Sequence, residues 1–197
     1  MKTTGAFISM LIVASLAASA QTKPGTVSES GFSISERGSH HKVWERTELV
    51  PAPDGQMMEL KRSYTELATG MHFKNDKGEW EESEAKIDLL PNNAGAAASK
   101  GQHKAIFPPE LKSGIIELQT PDGQWLRSRV WGVAYFDASS GESVLLAEVK
   151  ESEGQLTGDN VVNYPDAFTD FLADVRYTYT RAGFEQDVVL REQPPTP

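Results

Sequence analysis

The amino-acid sequence predicts an all-β fold: an antiparallel β-sandwich of short strands joined by hairpin turns, with little helix. Three observations support it. Short runs of β-branched and aromatic residues recur from Gly31 onward. Turn dipeptides such as Asp54-Gly55 and Asp122-Gly123 separate these runs, and each places glycine where a hairpin needs a positive φ. The apolar period of an amphipathic helix is almost missing, which favours a sandwich.

The N-terminal segment is predicted to be a secretory signal peptide. Residues 1–20 have a basic start, an apolar middle and small residues at Ala18 and Ala20. This pattern predicts cleavage between Ala20 and Gln21, and export to the cell envelope or the exterior. The polar residues 21–30 then form a flexible arm.

Composition excludes several classes of protein. The formal net charge of −9 makes a poor electrostatic match for nucleic acid or anionic lipid. No apolar run of membrane-spanning length follows the signal peptide, so we expect no membrane span. The chain has no cysteine, which rules out disulfides and thiolate metal sites and favours bacterial export. The sequence indicates no cofactor.

A single domain is predicted over 31–193. The candidate strands are 32–36, 41–50, 56–67, 71–74, 79–89, 114–119, 124–136, 143–149, 161–164, 175–180 and 184–191. Residues 91–102 are small and nearly featureless, so we expect a long loop there. Residues 194–197 contain three prolines, which cannot continue a sheet, and we expect them to begin a linker to further material.

The sequence also suggests which side chains fill the core. Apolar residues that alternate along the later strands are the candidates. They are Val130, Phe136, Val144, Leu146, Val175, Tyr177, Tyr179, Phe184, Val188 and Leu190.

One short helix is conceivable over 165–174. Asp166, Asp170 and Asp174 lie four residues apart, and apolar residues fill another face. The three carboxylates are the solvated side of this turn, or two of them form a calcium site together with backbone carbonyls. The spacing does not match an EF-type loop.

The sequence lacks several common catalytic motifs. The sequence has no Gly-x-Ser-x-Gly elbow, no His-Glu-x-x-His and no phosphate-binding glycine loop. His40 and His41 are adjacent, so on a strand they point to opposite faces and cannot share a metal. Glu81 and Glu84 flank Trp80 closely enough to consider a general acid, but such a density of carboxylates is typical of a solvated face. We therefore expect a protein without catalytic activity.

The candidate binding residues lie on the predicted strand 124–136. The two-residue period places three aromatic rings and two guanidinium groups on one face: Trp125, Arg127, Arg129, Trp131 and Tyr135. Such a face suits carbohydrate rings or an extended anionic chain. Alternatively, the arginines stack on tryptophan and pair with Glu185 and Asp187 of a neighbouring strand. A bulge at Gly132 would instead place Trp131 inside.

Part of the chain resembles a known class of module. The resemblance spans roughly residues 60–193 and rests on the segments 71–80, 120–124, 160–168 and 177–190. Its pattern is an Asn-Val-x-x-Tyr strand, a Phe-containing loop, an aromatic-Thr strand and a Gly-Phe-x-x-Asp strand. These segments resemble the β-rich N-terminal modules that precede RHS/YD-type repeats in large secreted bacterial proteins. The resemblance implies a β-rich fold and identifies no catalytic or binding residue.

Together these features predict a non-catalytic, secreted structural or interaction module, forming the N-terminal part of a larger bacterial surface or secreted protein. Other domains of such a protein would then be its partners. The alternative is a carbohydrate-binding module that uses the aromatic strand face.

Overall fold

The protein is described by a computed structural model that covers residues 31–195. The predicted signal peptide, its cleavage site between Ala20 and Gln21, and the arm 21–30 lie outside the described residues. Strands dominate the described chain, every paired strand is antiparallel, and a single 3₁₀ turn occurs within it at Pro91–Asn93. The predicted all-β class is confirmed.

The described chain groups into two compact units, divided between Met71 and His72. The first unit is a three-stranded meander of β1 (Ser33–Gly38), β2 (His41–Pro51) and β3 (Met57–Leu67). The sequence predicts a single domain over 31–193, interrupted by a long loop at 91–102. Residues 91–102 lie inside the second unit.

The second unit contains two short hairpins and two larger sheets. Its elements, in chain order, are β4 (His72–Lys74), β5 (Trp80–Glu82), β6 (Asp88–Leu89), β7 (Ala96–Ala98), β8 (Lys104–Phe107), β9 (Ile116–Gln119), β10 (Trp125–Ser128), β11 (Gly132–Phe136), β12 (Ser143–Glu148), β13 (Gln155–Leu156), β14 (Val161–Tyr164), β15 (Ala173–Thr180) and β16 (Gly183–Leu190). One sheet has the order β10-β9-β8-β7-β6, and the other has the order β13-β14-β15-β16. β4–β5 and β11–β12 are two-stranded.

The two larger sheets face each other across one hydrophobic core. The ring of Phe107 on β8 packs 5.6 Å from the ring of Tyr177 on β15. The Tyr179 hydroxyl on β15 donates to the carbonyl of His103 at 2.6 Å. Hydroxyl groups at the ends of buried rings thus join the two layers, so the sheets are tied by hydrogen bonds as well as by packing.

The predicted core is correct in its centre and wrong at its edges. Val175, Tyr177 and Tyr179 are buried, and Val130, Leu146 and Phe184 pack partly buried against the core. Phe136, Val144, Val188 and Leu190 are exposed instead. Large core residues that the alternation did not single out are Ile87, Phe107, Leu111, Tyr164 and Phe168. Strand period shows which side chains share a face, but not whether another sheet covers that face.

The segment 91–102 differs from the predicted loop. Its alanine-rich centre forms β7, which pairs with both β6 and β8. Ala96 and Ala98 are buried in the core. Alanine has a low intrinsic strand preference, so the local sequence indicates a loop, while burial between neighbouring strands stabilises a strand.

No helix forms over 165–174. Residues 165–172 are turns and irregular chain, Asp166 has a positive φ of 47°, and Asp174 already belongs to β15. Phe168 and Phe171 are buried with their rings stacked 5.9 Å apart. These rings anchor the loop to the core. The apolar spacing that indicated a helix therefore comes from an irregular segment that buries two aromatic side chains. Between residues 31 and 195, no helix has the length and apolar character needed to cross a membrane.

Candidate interaction surface

The predicted strand 124–136 is divided in the structure. β10 ends at Ser128 and pairs with β9, whereas β11 begins at Gly132 and pairs with β12. The connection between them carries Arg129 and Trp131. The five predicted binding residues therefore belong to three consecutive segments with different partners, and the continuous face that alternation implied does not form.

On β10, the predicted residues lie at the edge of the five-stranded sheet. Trp125 is 43% exposed. Arg127 lies opposite Glu117 of β9, and its Nε donates to the Glu117 carboxylate at 2.6 Å. An arginine–carboxylate pair across strands was expected, but with Glu185 or Asp187. Asp187 pairs with Arg176 instead.

The connection between β10 and β11 places Trp131 in solvent. Its side chain is 82% exposed, the largest fraction among the large apolar residues of the described chain. Its carbonyl nevertheless accepts a hydrogen bond from the N–H of Val149 at 2.9 Å. The backbone is therefore held while the ring extends outward. The alternative that places Trp131 inside the fold is not what the structure shows.

The β11–β12 hairpin has one face on the core and one in solvent. Its register shifts between Val133 and Ala134, which leaves Leu146 as the extra residue of a bulge. Val133 and Leu146 pack against the core. Phe136, by contrast, is 68% exposed, and Leu145 is exposed opposite Ala134. The sequence suggested a bulge at Gly132, whereas the extra residue lies on the partner strand β12 and the bulge does not turn Trp131 inward.

We call Trp131, Phe136, Val144 and Leu145 the hairpin surface, because all four are large, apolar and exposed on or directly before this hairpin. Phe136 and Leu145 share one face of the hairpin, whereas Val144, opposite Tyr135, lies on the other. Tyr135 lies between them in sequence but is half-buried, and its hydroxyl donates to the carbonyl of Pro195 at 3.0 Å. The C-terminal segment therefore meets β11. Sequence reasoning included Trp131 and Tyr135 and missed the others, since it assigned Phe136 and Val144 to the core.

The carboxylates considered for acid catalysis are exposed and have partners. Glu81 accepts a hydrogen bond from the Asn75 amide at 2.6 Å. Glu84 pairs with Lys100 at 2.9 Å. Neither carboxylate lies in the apolar enclosure that typically makes such a group a general acid.

Of the three aspartates, Asp174 is buried and hydrogen-bonded to other parts of the fold. Its carboxylate accepts hydrogen bonds from the Arg191 guanidinium at 2.5 Å, from the Asn163 amide at 3.2 Å and from the N–H of Asp166 at 3.0 Å. Its side chain is 4% exposed. Burial opposes ionisation, but the hydrogen bonds outweigh it and hold the pKa of Asp174 below its usual value.

The other two aspartates have separate partners. Asp166 pairs with Lys150 at 2.8 Å, and Asp170 accepts a hydrogen bond from the Thr169 hydroxyl at 2.5 Å. Within residues 31–195, no group of three histidine, aspartate or glutamate side chains is placed to hold a metal ion.

One cleft of about 270 Å³ lies in the second unit, apart from all five predicted binding residues. Pro108, Pro109 and Leu156 contribute apolar walls, and Glu110 and Glu153 contribute carboxylates. The Glu110 carboxylate accepts hydrogen bonds from the N–H groups of residues 112, 113 and 152 and from the hydroxyl of residue 113. Burial opposes its ionisation, yet these bonds lower its pKa. Glu110 therefore organises the loop that follows β8.

Comparisons of the chain with protein-family models, with curated proteins and with solved structures gave no match. The reasoning about function therefore rests on the residues and geometry of this chain.

Proposed function

We propose that this protein is a non-catalytic, secreted interaction module that forms the N-terminal part of a larger bacterial surface or secreted protein. One observation carries the proposal: the hairpin surface exposes large apolar side chains next to a well-packed core. Phe136 and Leu145 lie together on the solvent face of the hairpin. Large apolar side chains grouped in solvent on a soluble protein are typical of a site that binds a partner. The resemblance to modules that precede RHS/YD-type repeats supports the same role.

The chemistry of the surface favours binding over catalysis. Tryptophan and phenylalanine supply large contact areas with few rotatable bonds, which is why aromatic residues dominate binding hot spots. The hairpin surface contains no ionisable side chain. The carboxylates considered for catalysis, Glu81 and Glu84, are instead exposed with partners.

Carbohydrate is the second candidate ligand, favoured by the exposure of Trp131 and Trp125. Sugar rings stack on exposed tryptophan faces. The two tryptophans lie on different segments, so a saccharide would contact them separately rather than as one continuous strand face.

The test compares Trp131→Ala with Leu126→Ala, a matched exposed apolar residue on β10. Each variant is measured for sedimentation with bacterial cell envelopes and for retention in polysaccharide-containing native gels. The proposal expects Trp131→Ala to weaken envelope binding about tenfold, which corresponds to about 1.4 kcal/mol, while Leu126→Ala changes it little.

Pretreatment of the envelopes distinguishes the two ligands. If protease abolishes sedimentation of the wild-type protein, the receptor is a protein. If glycosidase abolishes it and the gels retain the protein, the receptor is a carbohydrate. Equal sedimentation of the Trp131→Ala, Leu126→Ala and wild-type proteins would contradict a binding role for the hairpin surface.

A further inference from the structure

The outer edge of β16 differs from the other edges of the two large sheets. β6 and β13, at the far edges of the two large sheets, are two residues long, and β10 is four residues long and carries Arg127. β16 pairs with β15 over eight residues without a register shift. Its sequence contains no lysine and no proline. Shortness, lysine, proline and bulges are among the usual devices that keep a sheet edge from pairing, and β16 has none of these four. The charges that it does carry, Glu185 and Asp187, are both acidic.

The alternation of hydrogen-bonded pairs along β16 shows which of its residues direct their backbone groups away from β15. The N–H of Arg191 donates to the carbonyl of Leu172 at 2.9 Å, just beyond the last strand pair. Because antiparallel pairs alternate, residues 185, 187 and 189 exchange hydrogen bonds with β15. Phe184, Gln186, Val188 and Leu190 therefore direct their N–H and C=O groups to the open side.

The side chains of these outward residues lie on the core face of the sheet. Val188 is opposite Val175, which is fully buried, and Leu190 is opposite Ala173, which is also fully buried. Val188 and Leu190 themselves remain 39% and 50% exposed. The core face is thus partly exposed at β16, and one more strand would extend this face and pack its side chains beside Val188 and Leu190.

The other face of β16 is acidic. Glu185 is exposed there, and Asp187 lies two residues further along, paired with Arg176 at 2.9 Å. The whole chain has a net charge of −9. If two copies paired along the whole strand with matching outward groups, each Asp187 would oppose the other, which is destabilising. A basic partner segment is therefore complementary in charge to this face of β16, whereas a second copy of the chain is not.

We propose that the edge of β16 accepts an added strand from an extended partner segment in which apolar residues alternate with basic ones. The main chain of the segment continues the sheet. Its apolar side chains pack beside Val188 and Leu190, and its basic side chains face Glu185. This is strand addition, in which the ladder provides affinity and the alternate side chains provide specificity. The site goes beyond the proposed function, since it uses none of the hairpin surface.

The probe is an acetylated, fluorescein-labelled octapeptide in which valine alternates with lysine. Two control peptides carry glutamate in place of lysine, or N-methyl groups on alternate amides. Fluorescence anisotropy with the full chain should show binding of the lysine peptide, and at least tenfold weaker binding of both controls. N-methylation removes the ladder donors while it keeps the side chains.

Two variants of the protein test the site. Val188→Lys places a charge at the edge and should weaken binding about tenfold, while Val144→Lys, at an exposed valine of the hairpin surface, should change it less than twofold. Glu185→Lys lies at an exposed position, and it should shift the preference from the lysine peptide toward the glutamate peptide. A thermal melt of each variant verifies that it is folded.

The proposal is overturned if the lysine, glutamate and N-methylated peptides bind alike, or if Val188→Lys and Val144→Lys weaken binding equally. It is also overturned if the protein dimerises in sedimentation equilibrium and Val188→Lys alone abolishes the dimer, because a second copy is then the occupant. Envelope binding by Trp131→Ala is a separate readout, so failure here leaves the proposed function open to its own test.

Discussion

Strands β15 and β11 both carry two aromatic residues but have different environments. Tyr177 and Tyr179 on β15 are two residues apart and share one face, whereas Tyr135 and Phe136 on β11 are consecutive and point to opposite faces. β15 lies between β14 and β16 with a second sheet over one face, and its tyrosines are buried. β11 has β12 as its one paired neighbour, and Phe136 remains in solvent. The period determines which aromatic residues share a face, and the number of neighbouring strands and the presence of a covering layer determine which of them are core.

The largest expected effect is in the core between the two large sheets. Phe107 is fully buried and contacts the rings of Tyr177 and Phe184. Phe107→Ala should lower the free energy of unfolding by about 3–5 kcal/mol, because it removes buried apolar surface and leaves a cavity. Chemical denaturation monitored by circular dichroism measures it. A loss below 1 kcal/mol would mean that the sheets do not share this core.

The next largest effect is expected at Asp174, near the start of β15. Asp174→Ala should lower the free energy of unfolding by about 3 kcal/mol, because it leaves the Asp166 N–H and the Asn163 amide without their buried acceptor. Asp187→Ala, at an exposed ion pair on the neighbouring strand, is the control and should cost less than about 1 kcal/mol. Equal losses in the two variants would refute a structural role for Asp174.

Asp174 also predicts a pH dependence. Its pKa in the folded protein lies below the usual value of 3.8, so the unfolded state binds its proton at higher pH. The stabilisation is therefore present above the usual value and is lost as pH falls through the lowered pKa. Urea denaturation of wild type and Asp174→Asn over this range should show a steeper acid loss in the wild type. Parallel pH profiles would count against the prediction.

A smaller effect is expected at the hydroxyl that joins the layers. Tyr179→Phe keeps the buried ring and removes the bond to the His103 carbonyl, so we expect a loss of about 1–2 kcal/mol. Tyr135→Phe removes a bond to Pro195 at the surface and should cost less than about 0.5 kcal/mol. Thermal unfolding of both variants measures the two losses of stability. A larger loss for Tyr135→Phe than for Tyr179→Phe would contradict the prediction.

The smallest effect on stability is expected on the hairpin surface. Phe136→Ala and Trp131→Ala should each change the free energy of unfolding by less than about 1 kcal/mol, since both side chains are largely in solvent. Guanidinium denaturation provides the comparison with Phe107→Ala. If either variant loses about 3 kcal/mol or more, that side chain is part of the core and the contrast between β15 and β11 fails.

The sequence was a good guide to fold class and a partial guide to the site. Turn glycines and alternating runs indicate antiparallel strands correctly, because hairpin chemistry is local. Strand β7 was missed because its alanines have little intrinsic strand preference. They form a strand since β6 and β8 pair with them on either side. The division of 124–136 was missed because Ser128 and Gly132 pair with different strands, and the choice of partner is a long-range property. Trp131 was identified as a candidate, but its exposure required the structure.

Hydroxyl-radical footprinting, read by mass spectrometry, tests the central claim most directly, since it reports the solvent access of single side chains. For the protein alone, we predict strong oxidation of Trp131 and Phe136 and very little of Phe107 and Tyr177. When the protein is bound to bacterial cell envelopes, oxidation of Trp131 and Phe136 should fall while that of Trp44, in the first unit, stays the same. Oxidation of Trp131 as weak as that of Phe107, or no protection on binding, would contradict the account.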